Sequence, residues 1–227
     1  MKVDVGQRQI SLKVVYYGPP LSGKTTNLQR LYEQADSAHK GALTVLDTAD
    51  ERTLYFDLLP VVVESASGYT LRLKLFTVPG QVVHAATRRL VLSGADGVVF
   101  VADSRRSEAR ANNQFWRGMR RYLKDNDIVP DAIPTVIQFN KRDLPDVRAP
   151  EELAEIRRHS HEPIVEAVAL RGEGVVQTLH ALLRLLFADL SERHGFEQQI
   201  GLSADAFVAA LFGGQNTGRQ AASGGKR

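Results

Sequence analysis

The stretch that decides the fold is GPPLSGKT at residues 18–25, which directly follows the apolar run from Ile10 to Tyr17. It matches the pattern G-x-x-x-x-G-K-[ST], and a helical pattern begins at about Lys24. In a strand–loop–helix arrangement, backbone amides of the loop and of the helix start point inward, where they bind phosphate oxygens. The stretch therefore predicts a phosphate-binding loop rather than a Gly-rich surface turn.

The rest of the chain alternates short apolar runs with longer helical patterns. The run GVVFVA at 97–102 is typical of a strand buried on both faces of a parallel sheet. The run at 70–78 alternates apolar and polar residues, which predicts a strand with one covered face. Further strands are expected at 10–17, 54–64, 134–139 and 164–169, and helices at 24–34, 107–124, 151–159 and 174–193. The pattern predicts an α/β fold, with a mostly parallel six-stranded sheet and helices on both faces.

A second motif, Asn140-Lys141-Arg142-Asp143, directly follows the expected strand at 134–139. A carboxylate at Asp143 can accept both the N1–H and the 2-amino group of guanine, as a charge-assisted pair of hydrogen bonds. Adenine lacks that pair of donors, and a buried carboxylate left unpaired is costly, so the motif favours guanine over adenine. A P-loop ATPase or kinase is the alternative that this motif disfavours.

These two motifs resemble those of Ras-like small GTPases, over roughly residues 10–190. The stretches that narrow the resemblance to the bacterial MglA family are DERT at 50–53, TVPGQ at 77–81, AATRRLVLSGADGVVFVADS at 85–104 and EAVA at 166–169. Most Ras-like proteins have Asp at the first position of the D-x-x-G motif, where it holds the magnesium shell through water. Here that position is Thr77, a departure that MglA-like proteins share.

The resemblance implies a Mg²⁺-dependent molecular switch that hydrolyses GTP to GDP and phosphate. In such a protein, Gln81 would orient the attacking water, and Arg52 would act as an arginine finger supplied by the same chain. The alternative for Arg52 is a solvated loop arginine. Thr53 is our candidate for the magnesium ligand in the first switch region, ahead of Thr44 and Thr48.

Two residues of the phosphate-binding loop have predicted roles in binding the phosphates and magnesium. Lys24 would reach the β- and γ-phosphates, and the hydroxyl of Thr25 would be the other magnesium ligand. The family resemblance implies that the backbone amide of Gly80 would contact the γ-phosphate and that the backbone amide of Ala169 would contact the guanine O6. The complete set of expected nucleotide-binding residues is Gly18, Leu21, Ser22, Gly23, Lys24, Thr25, Thr26, Gly80, Asn140, Lys141, Asp143, Val168 and Ala169.

Pro20 departs from the family pattern, which has Gly at this position of the loop. Proline removes an N–H and fixes φ at about −65°. The main phosphate-facing amides lie further on, at about 21–26, so nucleotide binding should survive. Because the position adjoins the γ-phosphate and Gln81, we expect slow hydrolysis that depends on a partner. The alternative is an interaction scaffold that binds GTP without hydrolysing it.

The composition predicts a cytoplasmic protein without a lipid anchor. There is no cysteine, so disulfides, thiolate metal sites, prenylation and palmitoylation are excluded. No window approaches the roughly 18 apolar residues of a membrane helix. The resemblance implies a roadblock-type dimer as activator, downstream effectors, and a role at a cell pole in polarity or motility. No specific nucleic-acid partner is expected.

Residues 1–212 hold 26 basic and 26 acidic residues and have no net charge. The net charge of +3 comes from Arg219, Lys226 and Arg227 near the end of the chain. We expect a GTPase domain over 1–193 and a C-terminal extension over 194–227. The extension is predicted to contain a short helix at 203–212, followed by a disordered basic tail.

One expected helix is locally basic, since Arg106, Arg110, Arg117 and Arg121 would share one face of it. That face is either a docking patch for an acidic partner or nucleic acid, or a solvated face with Trp116 packed inward. Asp103 and Ser104, which follow the run at 97–102, are expected to be structural rather than catalytic.

Overall fold

The computed structural model of the protein describes residues 1–4, 6–34, 44–45, 57–64, 68–78 and 85–212. Over these residues the chain forms one sheet with helices on both faces. The strands are β1 (Lys2–Asp4), β2 (Gln9–Tyr17), β3 (Thr44–Val45), β4 (Asp57–Glu64), β5 (Thr70–Thr77), β6 (Gly97–Asp103), β7 (Thr135–Asn140) and β8 (Ile164–Glu166). The helices are α1 (Lys24–Gln34), α2 (Ala85–Leu92), α3 (Ala109–Lys124), α4 (Pro150–His159), α5 (Val175–His194), α6 (Phe196–Ile200) and α7 (Ala204–Phe212).

The strand order is β3-β4-β5-β2-β6-β7-β8, with β1 paired to β2. Strands β5, β2, β6, β7 and β8 run parallel to one another. The antiparallel pairs are β1 with β2, β3 with β4, and β4 with β5. The predicted mostly parallel α/β fold is therefore confirmed, and its six expected strands are all present. Strands β1 and β3 are additional, and at three and two residues they are too short to produce a periodic sequence signal.

The alternation of side chains along each strand divides the core between the two faces of the sheet. In β2, Val14 and Tyr16 belong to one apolar cluster, while Val15 and Tyr17 belong to the other. All seven residues of β6 are buried, as the uninterrupted apolar run predicted. Helices α1, α5, α6 and α7 cover the first face, and α2, α3 and α4 cover the second. None of the helices in the described ranges is both long and apolar enough to cross a membrane.

The helices that follow residue 193 pack into the first of these clusters. Phe187 of α5 contacts Phe196 of α6 and Phe207 of α7, with ring centroids 5.8 Å and 5.4 Å away. The rings of Phe196 and Phe207 are themselves 5.7 Å apart and both are fully buried. Helices α6 and α7 thus share a core with α5, while a domain boundary at 193 stays a prediction. The expected disordered tail after Phe212 lies outside the described residues.

The topology determines where candidate functional residues meet. Strands β2, β6, β7 and β8 are parallel, so their carboxyl ends lie along one edge of the sheet. Each of these four ends leads directly into a segment that the sequence analysis selected or discussed. In open α/β sheets, this edge is where ligands bind.

Candidate nucleotide-binding site

The loop after β2 is built around two glycines that no other residue could replace without a shift. A Cβ on Gly18 would lie 2.2 Å from the carbonyl oxygen of Val101 in β6. Gly23 has φ of +102°, and a Cβ there would lie 2.2 Å from the side-chain nitrogen of Asn140. The loop therefore passes in close contact with the ends of both β6 and β7, which requires glycine at both positions.

Lys24 begins α1 and is 6% exposed. Its Nζ donates hydrogen bonds to the carbonyl oxygens of Gly18 at 3.0 Å and Pro19 at 2.7 Å. The ammonium is thus held against the loop, beside the amides at the start of α1. An anion bound at these amides would meet both a positive helix end and a lysine charge. Thr25 and Thr26 follow in the first turn, with Thr25 exposed.

Two residues of the loop have unusual surroundings. Leu21 has φ of +60° and is 88% exposed, so an apolar side chain in a left-handed conformation points into solvent. Ser22 is fully buried, and its hydroxyl has no hydrogen-bond partner among the described residues. Pro20 is exposed, beside Leu21. The strained turn at Leu21 is a local cost that a bound ligand can offset.

Asn140 connects three segments that are far apart in sequence. Its Nδ2 donates to the carbonyl oxygen of Ser22 at 2.8 Å, and its Oδ1 accepts from the amide of Ala169 at 2.8 Å. The residue is 2% exposed. Both ends of one buried amide are therefore used to fix the phosphate-binding loop relative to the segment after β8.

The segment after β8 is also attached directly to the segment after β7. The amide of Ala167 donates to the carbonyl oxygen of Phe139 at 2.9 Å, and the amide of Arg142 donates to that of Ala167 at 3.1 Å. Glu166 accepts from the guanidinium groups of Arg142 and Arg157, each at 2.9 Å. Val168 and Ala169 therefore lie next to the second motif, on the same edge of the sheet.

Asp143 is partly accessible, with 22% of its side chain exposed. One of its carboxylate oxygens lies 3.4 Å from a guanidinium nitrogen of Arg171, which is a long contact. An accessible carboxylate with a weak partner can accept hydrogen bonds from a ligand. This geometry suits the base-recognition role that the sequence predicted for it.

Lys141 pairs with a carboxylate on the neighbouring strand. Its Nζ lies 2.7 Å from Oδ2 of Asp103, because Asp103 and Asn140 are partners in the β6–β7 register. Arg105 also binds Asp103, with its NH2 group 2.8 Å from the same oxygen. The side chain of Asn112 holds the backbone of Asp103, accepting from its N–H and donating to its carbonyl.

The Asp103 carboxylate is 4% exposed and stays charged at neutral pH. Burial raises the pKa of the Asp103 carboxyl, but hydrogen bonds from Arg105 and Lys141 lower it by more, so the pKa lies below its usual range. The sequence analysis expected a structural role for Asp103 and did not link it to Lys141. The available signal was an acidic residue ending a buried strand, next to the strand that leads into Asn140 and Lys141.

A second buried network lies behind the loop. Asn27 of α1 and Gln138 of β7 exchange two amide hydrogen bonds, of 2.8 Å and 2.9 Å. Gln138 also donates to the hydroxyl of Thr178 in α5 at 2.8 Å. All three residues are fully buried, so the network fixes α1 and α5 on the sheet behind the phosphate-binding loop.

Several predicted site residues lie outside the described residues, namely Thr48, Arg52, Thr53, Gly80 and Gln81. Thr44 is described only as backbone, in β3. The structure therefore brings together the predicted phosphate and base segments. The roles of Arg52, Gln81 and Thr53 stay predictions.

The sheet order, the loop after β2 and the segments at the ends of β6, β7 and β8 define a P-loop protein with a Ras-like G domain. No protein-family model matches the sequence. The chain is 43% identical over 190 residues to the mutual gliding-motility protein MglA of Myxococcus xanthus (strain DK1622). That match covers 84% of this chain and 97% of the relative, and the protein belongs to the MglA family.

Proposed function

We propose that this protein binds GTP and GDP at the edge of the sheet and switches between the two states. The observation that supports this most directly is the double hydrogen bond of Asn140, which joins Ser22 of the phosphate-binding loop to Ala169. A nucleotide spans a phosphate site and a base site, so a residue that fixes one relative to the other favours a nucleoside phosphate over a simple anion.

Guanine selection is assigned to the base end. The carboxylate of Asp143 would accept from the guanine N1–H and 2-amino group, and the amide of Ala169 would be near the O6. Lys141 is held by Asp103, so its aliphatic stem has a fixed position beside the base. An adenine base would leave the Asp143 carboxylate without its donors, which is the physical basis of selectivity.

The phosphate end fits a magnesium-bound triphosphate by its donor set. The amides at the start of α1 and the ammonium of Lys24 supply positive charge, and the exposed hydroxyl of Thr25 supplies a hard oxygen ligand. When bound, the magnesium ion would neutralise charge on the β- and γ-phosphates. Thr53 is the second proposed metal ligand.

We further propose that the protein hydrolyses GTP. A water oxygen would bond to the γ-phosphorus while the bond to the bridging oxygen breaks, giving GDP and phosphate. Gln81 would orient that water, and Arg52 would stabilise the charge that develops on the phosphoryl oxygens. A roadblock-type dimer is the proposed activator, acting with downstream effectors. The name of the Myxococcus xanthus relative supports a role in gliding motility. A role in cell polarity, and a location in the cytoplasm and at a cell pole, belong to the proposal through the family resemblance alone.

The experiment that tests the function has two stages. The nucleotide that co-purifies with the protein is identified by chromatography, and single-turnover GTP hydrolysis is then timed with and without a purified roadblock-type dimer. Bound guanine nucleotide and accelerated turnover with the dimer are expected. Bound ATP would contradict the guanine assignment. GTP that persists even with the dimer would favour the non-hydrolysing scaffold instead.

Pro20→Gly tests the proposed cause of slow turnover. The variant restores an N–H and backbone freedom beside the γ-phosphate, so we expect intrinsic hydrolysis to rise by about tenfold, or about 1.4 kcal/mol of activation free energy. GTP affinity should change less than about twofold, since Pro20 is exposed and the amides at 21–26 are retained. Unchanged intrinsic and stimulated rates would eliminate the idea.

A further inference from the structure

Two adjacent helices of this protein carry basic residues and no acidic ones. Helices α2 and α3 together contain seven arginine and lysine residues and no aspartate or glutamate. The rest of the chain holds 22 basic against 26 acidic residues and is net negative. Such separation of charge creates a local positive potential that the total charge of +3 does not reveal.

Three of the seven cations are occupied within the protein. Arg88 is 5% exposed and its guanidinium lies 5.4 Å from the ring centroid of Phe115. Arg89 donates to the carbonyl oxygen of Asp125 at 2.8 Å, and Arg120 pairs with Asp131 at 2.6 Å. These contacts account for Arg88, Arg89 and Arg120 without any external partner.

The other four cations are exposed, and we call them the basic stripe: Arg110, Arg117, Arg121 and Lys124. In the part of the chain that the structure describes, no carboxylate lies within ion-pair distance of them. Arg106, which the sequence analysis placed on the same face, instead precedes α3 and pairs with Glu152 at 2.6 Å. Arg106 is therefore removed from the basic face that the sequence predicted, and the other three arginines of that face remain.

The stripe is straight. Its residues are spaced 7, 4 and 3 positions apart along α3, which keeps them on one side of a helix for about 21 Å. The exposed amides of Asn113 and Gln114 lie along the same part of the helix. Arg121 lies over the ring of its neighbour Tyr122, 5.2 Å from the centroid, and its side chain is still exposed. The surface is thus a row of exposed cations and amides, a few turns long and one helix wide, in which the described residues supply no carboxylate partner.

The row has a rigid support. Besides the Arg88 and Arg89 contacts, Asn126 at the end of α3 donates to the carbonyl oxygen of Arg89 at 2.9 Å. Two adjacent residues of α2, Arg88 and Arg89, therefore attach this helix to the middle of α3 and to the turn that follows it. Leu90 of α2 is 72% exposed, which adds an apolar side chain to this two-helix unit.

We propose that the basic stripe docks an acidic polypeptide segment of a partner protein. Three of its four cations are arginines, whose planar forks bind carboxylates in pairs. Arginine together with an exposed leucine is the chemistry of a protein interface, since arginine is enriched in interfaces and lysine is depleted. A segment with carboxylates at helical spacing would match a row of this length.

Nucleic acid and membrane are the less favoured partners. Single-stranded nucleic acid stacks on exposed aromatic rings, but Phe115 and Tyr122 are buried and Trp116 packs edge-on against Phe100 at 5.0 Å. A lipid surface binds a basic helix tightly when apolar side chains of that helix insert beside the cations, but Phe115, Met119 and Leu123 of α3 are buried in the core.

The test uses the full chain with its bound nucleotide and a fluorescent peptide helix of alternating glutamate and leucine turns. Binding is measured by anisotropy at about 50 mM and about 300 mM salt. The variant R110E/R117E/R121E is expected to weaken binding at least about tenfold, from loss of three charge pairs. The matched control K2E/R72E/K74E makes the same change of charge at exposed strand positions and should weaken binding less than about threefold.

Parallel measurements use phosphatidylglycerol vesicles and a DNA duplex. Equal weakening by the two triple variants would show attraction by net charge alone and overturn the proposal, as would no peptide binding at low salt. Tighter, stripe-dependent binding of vesicles or DNA would overturn the assignment to a polypeptide. The variant R110Q/R117Q/R121Q removes the three charges without adding carboxylates, so it should weaken peptide binding by a smaller factor than R110E/R117E/R121E, with unchanged unfolding temperature and bound nucleotide. Binding at the level of the parent protein in this variant would overturn the proposal.

Discussion

The two ends of the candidate site are built in different ways. The phosphate end comes from one continuous stretch, residues 18–26, and consists mainly of backbone held in place by Gly18 and Gly23. The base end is assembled from the ends of β6, β7 and β8, and depends on side chains such as Asn140 and Asp103. A local backbone site can be formed by a short sequence, whereas a side-chain site depends on the register of three strands.

The phosphate end and the base end of the site meet at Gly23 and Asn140. Substitutions at these two residues should therefore test whether the two ends contribute independently to nucleotide binding. Effects that remain at one end would support two separable sites. Effects that spread would show that the close packing of Gly23 against Asn140 and the double hydrogen bond of Asn140 make the two ends one unit.

The largest effect is expected for Gly23→Ala. The added Cβ would collide with the side chain of Asn140 and would hold an L-residue at φ of +102°, at a total cost of about 4 kcal/mol. Guanine nucleotide affinity should fall about a thousandfold, measured by calorimetry. The matched control is Gly118→Ala in α3, where the nearest atom is 3.8 Å away and affinity should be unchanged. Retained affinity in the Gly23 variant would refute the close-packed loop.

Asn140→Ala should be the next most damaging change. It leaves the Ser22 carbonyl and the Ala169 amide without their buried partner, at about 3 kcal/mol, or about a hundredfold in affinity. The exposed Asn113→Ala serves as the control. If this variant lost more affinity than the Gly23 variant, the base end would dominate binding and the order of the two ends would reverse.

Asp143→Asn should change selectivity at the base end and leave the phosphate end intact. Loss of the charge-assisted pair should weaken GDP binding about thirtyfold, or about 2 kcal/mol. An amide can donate to a carbonyl at the 2-position, so affinity for xanthosine diphosphate should rise. Competition between the two nucleotides measures this exchange, which general unfolding could not produce. An unchanged preference for guanine would refute the role of Asp143.

Asp103→Asn should have the smallest effect, about 1 kcal/mol of stability at pH 7, because it weakens the hold on Lys141 and Arg105. The folded pKa of Asp103 is lowered, so the charged carboxylate stabilises the fold above its ordinary pKa of 3.8 and this is lost as the pH falls below it. The difference in unfolding temperature between variant and parent should shrink from pH 7 to pH 3. Asp131→Asn, at an exposed ion pair, should cost at most about 0.5 kcal/mol. A difference independent of pH would contradict the charged role of Asp103.

Much of the architecture could be predicted because it depends on local patterns. The apolar run at 97–102 gave a fully buried strand, and the alternation of apolar and polar residues at 70–78 gave the strand β5. The contacts of α6 and α7 could not be predicted in the same way. Helix α7 is largely apolar and a helix at 203–212 was expected, but a local pattern does not show which surface a helix packs against. Only the contacts with Phe187 of α5 show that Phe196 and Phe207 belong to the core.

The sequence by itself determined the phosphate-binding loop, the motif at 140–143 and the alternation of strands and helices, since each is a property of neighbouring residues. Only the tertiary structure decided that Asp103 binds Lys141, that Asn140 joins Ser22 to Ala169, and that four cations of α3 form no ion pair with any carboxylate of the described residues. These pairings join residues that are 29 to 118 positions apart. Hydrogen bonds and ion pairs act over a few ångströms, so a linear pattern can supply the groups, but the parallel register of the strands selects which of them meet.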